Sequence, residues 1–263
     1  MLFAKKSLGQ NFLITPRIVE MIALAGDIKP GETVIEIGPG KGALTAQLLK
    51  AGARVIAIEK DDRLIPVLSD LFKKEIAEGS FILVHKDVME INDAELADMI
   101  ATSGTYKVIA NIPYYITGQI IRTFLSRPQQ PSIMILMVQK EVANRTIARD
   151  EKESILSLSV KVFATPSLVM NVSRGNFFPI PNVDSAVIKL SDIKNPFADK
   201  AGEERFFSYV KAGFAQKRKK LISNLEAVAD KKELKKKFAE LGLDENARAE
   251  DIALDTWLKL ARD

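Results

Sequence analysis

Short apolar runs alternate with amphipathic stretches along the first half of the chain. Five runs have the length and the β-branched content of buried strands, at residues 33–37, 54–58, 81–84, 107–110 and 133–138. Apolar positions at helical spacing follow two of them, at residues 44–50 and 61–78. Strands that alternate with helices predict an α/β fold with a mostly parallel, doubly wound sheet.

The pattern changes in the second half. Residues 160–163 and 185–190 predict two more strands without a long helix between them, which favours an antiparallel edge on the sheet. Residues 191–200 contain Asn195 and Pro196 and predict a linker, and the chain beyond it has helical spacing and many lysines. We therefore predict a first domain over residues 1–190, a linker over 191–200 and a small all-helical domain over 201–263.

Composition removes several kinds of chemistry. The 263 residues include no cysteine and a single histidine, His85. Disulfides, thiolate zinc sites, iron–sulfur ligation and cysteine nucleophiles are excluded, as is a metal site built on several histidines, and we predict no metal. The 38 Lys and Arg outnumber the 34 Asp and Glu, for a formal charge of +4, which is only a weak indication of a polyanionic partner.

Targeting and membrane signals are also missing from the sequence pattern. Residues 1–7 lack the apolar segment of a secretory signal. Apolar runs such as residues 133–138 are far shorter than the roughly 20 residues that span a bilayer. We expect a cytoplasmic protein with no membrane association.

A glycine-rich turn follows the first predicted strand. The sequence GPGKG at residues 38–42 places Gly38 and Gly40 between that strand and a helix, whose free N–H groups can face an anionic or polar ligand. Glu59 ends the next strand, where a carboxylate can accept both hydroxyls of a ribose. These features predict a nucleoside-cofactor site. The spacing Gly38-x-Gly40-x-x-Ala43 also fits NAD, and the alternative is a tight turn without a ligand.

Asp87 follows the third predicted strand. An acidic side chain there can accept a hydrogen bond from the amino group of an adenine ring. The alternative is a helix cap or a solvated loop residue.

The sequence ANIPYYIT at residues 110–117 lies at the end of the fourth predicted strand, on the edge where doubly wound sheets bind ligands. The Asn111 side-chain oxygen and a backbone carbonyl near Pro113 can accept the two hydrogens of an adenine N6 amine and orient it toward a methyl group. Tyr114 can stack on the base. The alternative is a turn in which Asn111 caps the following helix.

Four motifs together resemble a known family. They are LGQNFL at residues 8–13, EIGPG at 36–40, NIPYYIT at 111–117 and FFPIPNVDS at 177–185, and a looser match is FAQKRKKL at 214–221. In this combination and order the chain resembles the small-subunit ribosomal RNA adenine dimethyltransferases, the KsgA family.

The resemblance implies a Rossmann-like methyltransferase domain over residues 1–190 and a helical rRNA-binding domain over 201–263. It implies S-adenosyl-L-methionine as methyl donor and two adjacent adenosines near the 3′ end of 16S rRNA as acceptors, each methylated twice. The expected partner is 16S rRNA or the assembling small ribosomal subunit, and we expect a monomer that contributes to small-subunit biogenesis.

The resemblance also assigns site residues. The cofactor-binding group is Asn11, Leu13, Gly38, Gly40, Glu59, Asp87 and Asn111. The catalytic group is Asn111, Pro113, Tyr114 and Phe177. Within it, Phe177 and Tyr114 are expected to stack on opposite faces of an adenine that has been flipped out of its helix.

Two residues depart from the family pattern. Lys41 and Ile112 stand where bacterial members often have leucine, and both occur in a sister family, the large-subunit rRNA adenine N6-methyltransferases of macrolide resistance. Tyr115 and the Gly-Pro-Gly order favour the small-subunit family. A non-catalytic RNA-binding assembly or transcription factor on the same fold and an NAD-dependent oxidoreductase are the competing functional hypotheses.

Positive charge is concentrated after the linker, in Lys217, Arg218, Lys219 and Lys220. We predict that these four residues, hereafter the basic loop, contact RNA phosphates. The alternative is an ordinary solvated surface, which we favour for a second cluster at residues 235–237.

Overall fold

All five apolar runs of the first half form strands in the computed structural model, which describes residues 10–101 and 103–262. The strands are β1 (Phe12–Leu13), β2 (Thr33–Ile37), β3 (Arg54–Glu59), β4 (Phe81–His85), β5 (Tyr106–Asn111), β6 (Ile133–Gln139), β7 (Thr165–Val172), β8 (Phe177–Phe178) and β9 (Ser185–Ser191). The helices are α1 (Pro16–Ala25), α2 (Ala43–Lys50), α3 (Ile65–Leu71), α4 (Lys73–Ala77), α5 (Asp93–Ile100), α6 (Thr117–Leu125), α7 (Lys140–Ile147), α8 (Ile155–Lys161), α9 (Lys200–Gly213), α10 (Leu221–Leu225), α11 (Lys231–Glu240) and α12 (Leu254–Leu260).

Seven strands form the central sheet, in the order β4-β3-β2-β5-β6-β9-β7. Strands β2 to β6 pair in parallel, whereas β9 runs antiparallel to both β6 and β7. This confirms the predicted α/β fold and its antiparallel edge. The strand order reverses between β2 and β5, and such a switch point opens a crevice at the carboxyl ends of the strands.

The parallel strands are buried on both faces. Every residue of β2 is buried, as expected for a sheet covered on each side. On one face, alternate strand residues such as Val34, Val55 and Ile109 pack with Ile22 of α1 and Leu48 of α2. This core fixes where β2, β3 and β5 end, and therefore where the side chains that follow them point.

The predicted strand at residues 160–163 is wrong. Residues 160 and 161 belong to α8 and residues 162 and 163 follow its end, and the strand that pairs with the outer edge of β9 is β7. Ser154 and Ser157 form a reciprocal capping box at the start of α8, which favours a helix over the strand preference of the β-branched residues after it.

The single helix predicted over residues 61–78 is also corrected, because α3 and α4 occupy separate parts of it. Pro66 lies in the first turn of α3, where its missing N–H costs no helical hydrogen bond. Phe72, with φ −111° and ψ 29°, leaves helical geometry and separates the two helices.

Contacts divide the chain into two compact units. The first comprises Met1–Ala143 and Ala164–Lys194, and the second comprises Asn144–Phe163 and Asn195–Asp263. The longer segment of the second unit therefore begins inside the predicted linker. The unit also contains residues 144–163, which the predicted first domain included. Within the second unit, Lys152 pairs with Asp251 and the Phe163 ring lies 5.9 Å from that of Phe197, which explains this grouping.

No helix between residues 10 and 262, residue 102 aside, has the length and apolar character needed to cross a membrane. Over the same residues, no group of three or more His, Asp or Glu side chains is placed to hold a metal ion.

Candidate active site

A cavity of about 380 Å³ opens in the first unit at the carboxyl ends of β2, β3 and β5. Its volume lies in the range of small-molecule sites, roughly 300–1,000 Å³. It is lined by the glycine turn, the end of β3, the loop after β4, the Asn-Ile-Pro-Tyr segment and the residues around β1. The switch point of the observed sheet and the predicted motifs thus meet in one place.

The glycine turn packs closely against the segment before α1. Gly40 has φ +59°, and a Cβ on it would lie 3.1 Å from the Phe12 ring, so both its conformation and its contact require glycine. The Lys41 ammonium lies 4.9 Å from the centre of the same ring. Lys41, which departs from the family pattern, therefore helps to fix Phe12 beside the cavity.

Glu59 is a fixed acceptor on the cavity wall. It ends β3, is 6% exposed, and accepts hydrogen bonds from the backbone N–H of Asp61 at 2.8 Å and of Gly40 at 3.3 Å. Burial raises the pKa of the Glu59 carboxyl, and the hydrogen bonds to it oppose that rise. Each oxygen keeps accepting capacity, as two ribose hydroxyls require.

Asp87 forms the helix cap that the sequence analysis gave as the alternative, and it also lines the cavity. Its side chain caps a short 3-10 helix (Val88–Glu90) by accepting from Met89 N at 3.0 Å. The Lys60 ammonium donates to its other oxygen at 2.6 Å. Burial alone would raise the pKa of Asp87, but the bonds from Lys60 and Met89 outweigh it and hold the pKa low. Asp87 is thus a charged acceptor at the cavity.

Asn111 has an amide with a set orientation. It ends β5, and its Nδ2 donates to the backbone oxygen of Asn11 at 3.3 Å. This contact uses the donor side of the amide and leaves Oδ1 as the acceptor for a bound group. Asn11 therefore lies at the cavity partly to orient Asn111, a role that the sequence did not reveal.

Tyr114 is anchored from behind. Its hydroxyl lies 2.6 Å from Oγ of Ser185, the fully buried first residue of β9, while its ring lines the cavity. Burial raises the pKa of the Tyr114 hydroxyl, so it stays neutral at physiological pH. The serine at the end of the FFPIPNVDS motif thus holds an aromatic ring of the NIPYYIT motif in place.

The two phenylalanines of β8 have opposite environments. Phe177 is 1% exposed, belongs to the apolar core and does not line the cavity. Phe178 is 64% exposed and lines it. The structure therefore does not bring the predicted stacking residue Phe177 to the cavity together with Tyr114.

The remaining predicted site residues lie in one or the other of the two units. All seven residues of the cofactor group line the cavity, as do Pro113 and Tyr114. Residues 8 and 9 of the first motif lie outside the described residues. The basic loop belongs to the second unit.

Glu36 is a cavity residue to which the sequence analysis assigned no role. It is 1% exposed, and its Oε2 accepts from the Thr45 hydroxyl at 2.6 Å. Burial, aided by the nearby Glu59 carboxylate, raises the pKa of Glu36 to about 8. A glutamate inside the apolar run TVIEI was the signal that could have indicated it.

The basic loop is held by a buried asparagine. Asn224 is 7% exposed, and its Nδ2 donates to the backbone oxygens of Gly213 at 2.6 Å and Gln216 at 3.1 Å. All four side chains of the basic loop are exposed. None of the four forms an ion pair with another residue in the part of the chain that the structure describes.

Comparison with known proteins gives one consistent family. The family model described as ribosomal RNA adenine dimethylase matches residues 1–262. A protein of Dehalococcoides mccartyi named ribosomal RNA small subunit methyltransferase A is 38% identical over 259 residues, which are 98% of this chain and 87% of that protein. A protein of the same name from Enterococcus faecalis is 39% identical over 98% of this chain and 89% of its own length.

Solved structures agree on the fold. A dimethyladenosine transferase from Plasmodium falciparum superposes with a TM-score of 0.78 at 27% identity, over 95% of each chain. The 23S rRNA methyltransferase ErmE superposes with a TM-score of 0.74 at 24% identity, over 95% of this chain and 98% of its own. At that identity the likeness to ErmE concerns the fold alone.

Proposed function

The chain belongs to the ribosomal RNA adenine dimethylase family, and we propose that it methylates N6 of two adjacent adenosines near the 3′ end of 16S rRNA, twice each, with S-adenosyl-L-methionine as donor. We propose that it acts as a monomer on 16S rRNA within the assembling small ribosomal subunit and contributes to the biogenesis of that subunit. The observation that carries the proposal is the oriented amide of Asn111, next to a cavity with fixed carboxylate acceptors.

The cavity suits the donor through the chemistry of its acceptors. Glu59 is fixed where it can accept two ribose hydroxyls, and Asp87 offers a charged acceptor to an adenine amino group. Gly38, where a side chain would point into open space, leaves the backbone accessible to a ligand. When bound, S-adenosyl-L-methionine supplies an electrophilic methyl group on a positively charged sulfur.

Adenine N6 is a weak nucleophile, and the protein has to promote its attack on the methyl group. The lone pair of adenine N6 is delocalised into the ring, and Oδ1 of Asn111 together with a backbone carbonyl near Pro113 can accept the two N6 hydrogens and turn the lone pair toward the methyl carbon. The N6 lone pair forms the new C–N bond as the C–S bond of the donor breaks, and the electron pair of the broken bond stays on sulfur. The N6 proton leaves after the methyl group has arrived, so no histidine is needed.

The target base and its RNA need separate contacts. The ring of Tyr114, held by Ser185, offers a stacking face for a flipped adenine, and such stacking contributes roughly 1–3 kcal/mol. In the second unit, the exposed basic loop offers cations to RNA phosphates. We assign recognition of the folded RNA to that loop.

The large-subunit alternative is less favoured. The relatives named small subunit methyltransferase A are 38–40% identical to this chain over nearly its whole length. A non-catalytic factor has no need for an acceptor oriented as Oδ1 of Asn111 is. An NAD-dependent oxidoreductase is disfavoured by the family membership.

Two measurements test this proposal. S-adenosyl-L-methionine should raise the melting temperature, because a ligand that binds only the folded state stabilises it, and NAD should not. With labelled donor, undermethylated small subunits should accept methyl groups and large subunits should not. A thermal shift with NAD alone, or label in large subunits alone, would contradict the proposal.

A further inference from the structure

We propose that Gln10 is a positioning residue, whose hydrogen bond to Asp61 fastens the segment that orients the Asn111 amide. The segment comprises residues 10–15, hereafter the N-terminal strap, and its first five residues line the cavity. Neither Gln10 nor Asp61 belongs to the catalytic or the cofactor-binding group. The inference rests on the proposed function, since Asn111 is the residue that would hold the adenine amine.

The first step concerns Asp61, a buried carboxylate just after β3. It is 2% exposed, and Arg63 donates to both of its oxygens, with Nε at 2.8 Å and Nη2 at 2.5 Å. Gln10 Nε2 donates to Oδ2 at 2.7 Å. The Arg63 guanidinium, aided by Gln10, holds the pKa of Asp61 far below its usual range. Gln10 is therefore bonded to a permanent anion, and such a hydrogen bond is stronger than one between neutral groups.

The other end of the N-terminal strap is fastened to the turn before β8. The Ile14 backbone N–H donates to the backbone oxygen of Asn176 at 2.9 Å, and the Thr15 hydroxyl donates to Asn176 Oδ1 at 2.8 Å. Between the two ends, β1 pairs with β8. The Gln10 bond ties the opposite end of the strap to the residues that follow β3.

Two consecutive residues of the strap contact the supports of the proposed reaction. Gln10 holds Asp61, whose backbone N–H donates to Glu59 Oε1 at 2.8 Å. Asn11 offers its backbone oxygen to Asn111 Nδ2 at 3.3 Å. This second bond is longer than most N–H···O bonds, so a small displacement of the strap would break it. The orientation of Asn111 thus depends on where Gln10 holds the strap.

Loss of the Gln10 bond should disturb the acceptor amide more than the donor contacts. Glu59 keeps its two backbone N–H donors, and Asp61 keeps Arg63. The Asn111 amide, in contrast, loses the fixed position of its partner oxygen on Asn11. A misplacement of about 1 Å at a reacting group can cost about 100-fold in rate. Turnover should therefore fall further than donor affinity.

The test compares three substitutions of Gln10 with a matched control. Gln10→Ala removes the side chain, and Gln10→Glu keeps its size but places a carboxylate against Asp61. Gln10→Lys keeps an N–H donor. Gln47→Ala is the control, at a half-buried glutamine of α2 that does not line the cavity.

Three measurements separate fastening, donor binding and turnover. Hydrogen exchange over residues 10–15 reports the fastening of the N-terminal strap without RNA. Calorimetric titration with S-adenosyl-L-methionine gives donor affinity. Initial rates of methyl transfer to undermethylated small subunits, at saturating donor, give kcat, and the melting temperature reports the stability of each variant.

We expect Gln10→Ala to lower kcat by roughly 10- to 100-fold and donor affinity by less than about tenfold. Amide exchange over the strap should accelerate by about tenfold or more, because a hydrogen bond to a charged group is lost. Gln10→Glu should lose at least as much turnover, and Gln10→Lys should recover most of it. Gln47→Ala should stay within about twofold of the wild type in every measurement.

The possible failures are distinguishable. Wild-type kcat in Gln10→Ala, with or without a lower melting temperature, would overturn the inference while leaving the proposed function intact. Equal losses in Gln10→Lys and Gln10→Glu would overturn it as well, because the donated hydrogen bond would then be irrelevant. If the wild type methylates no small subunits, the proposed function fails and the inference fails with it.

Discussion

The cavity of the first unit and the basic loop of the second hold their polar groups in opposite ways. At the cavity, Glu36 and Glu59 are buried and each has a named hydrogen-bond donor, and Asn111 is fixed by Asn11. In the basic loop the four cations are exposed, and Asn224 fixes only the backbone beneath them.

This difference separates two kinds of recognition. Fixed, buried groups act over the length of one hydrogen bond, so a single substitution removes their effect and salt hardly changes it. Exposed cations act through their summed charge, so a single substitution changes the affinity for RNA little and salt changes it a great deal. We expect the cavity to determine chemistry and the basic loop to determine affinity for RNA.

The largest expected effect is that of Asn111→Ala. Loss of an oriented acceptor at the reacting nitrogen should lower methyl transfer by about 10²–10³-fold. Single-turnover rates with undermethylated small subunits measure it, and Asn246→Ala, an exposed residue of the second unit, serves as control. The thermal shift with S-adenosyl-L-methionine should persist in both variants. Normal turnover by Asn111→Ala would remove the proposed mechanism.

Glu59→Gln should weaken donor binding by about 10- to 100-fold, because hydrogen bonds to a charged acceptor are worth about 1.5–3 kcal/mol. The backbone N–H groups of Gly40 and Asp61 also lose their charged partner. Calorimetric titration with S-adenosyl-L-methionine measures the change, with the exposed Glu78→Gln as control. Equal affinities in the two variants would show that the cavity does not hold the ribose through Glu59.

Neutralising the basic loop should have a smaller, salt-dependent effect. Replacing its four cations by glutamine should weaken binding to small-subunit RNA by about tenfold and reduce the slope of log K against log[salt] by up to about 3. Glutamine at Lys231, Lys232, Lys235 and Lys236, four exposed residues of α11, gives a comparison set with the same change in charge. If both sets reduce the slope equally, the basic loop has no special role.

The smallest predicted effect concerns Glu36 and pH. Its pKa is about 8 in the folded chain against an ordinary 4.5, so at any pH between these two values folding takes up a proton. The stability that this carboxyl contributes is therefore present below pH 4.5 and declines as pH rises to about 8. Glu36→Gln stays neutral, so its melting temperature should exceed that of the wild type clearly at pH 8.5 and by little at pH 5, with the difference growing between these two pH values. A constant difference across pH would contradict the buried, protonated Glu36.

The sequence was informative where local pattern and tertiary structure agree. Strands such as β2 and β5 have apolar runs that only a buried sheet accommodates, and the motifs at their ends lie where such a sheet binds ligands. The positions of Glu59 and Asn111 at the cavity therefore followed from the pattern. Their hydrogen-bond partners did not, because Asn11 and Asn111 are 100 residues apart in the chain.

Other features depend on contacts that sequence does not reveal. Val160, Val162 and Phe163 are β-branched or aromatic, but the cap at Ser154 and the Phe163–Phe197 contact place them in or beside α8, in the second unit. Which phenylalanine of β8 faces the cavity depends on its register with β1, and that register is a long-range property.

One measurement tests the central claim most directly, which is that the fixed cavity transfers methyl groups to a particular RNA site. Undermethylated small subunits are incubated with the wild-type protein and S-adenosyl-L-methionine, and the product is identified by nucleoside analysis and mapped along the RNA. We predict N6,N6-dimethyladenosine at two adjacent adenosines near the 3′ end of 16S rRNA. RNA that remains unmethylated, or dimethyladenosine elsewhere, would contradict the account.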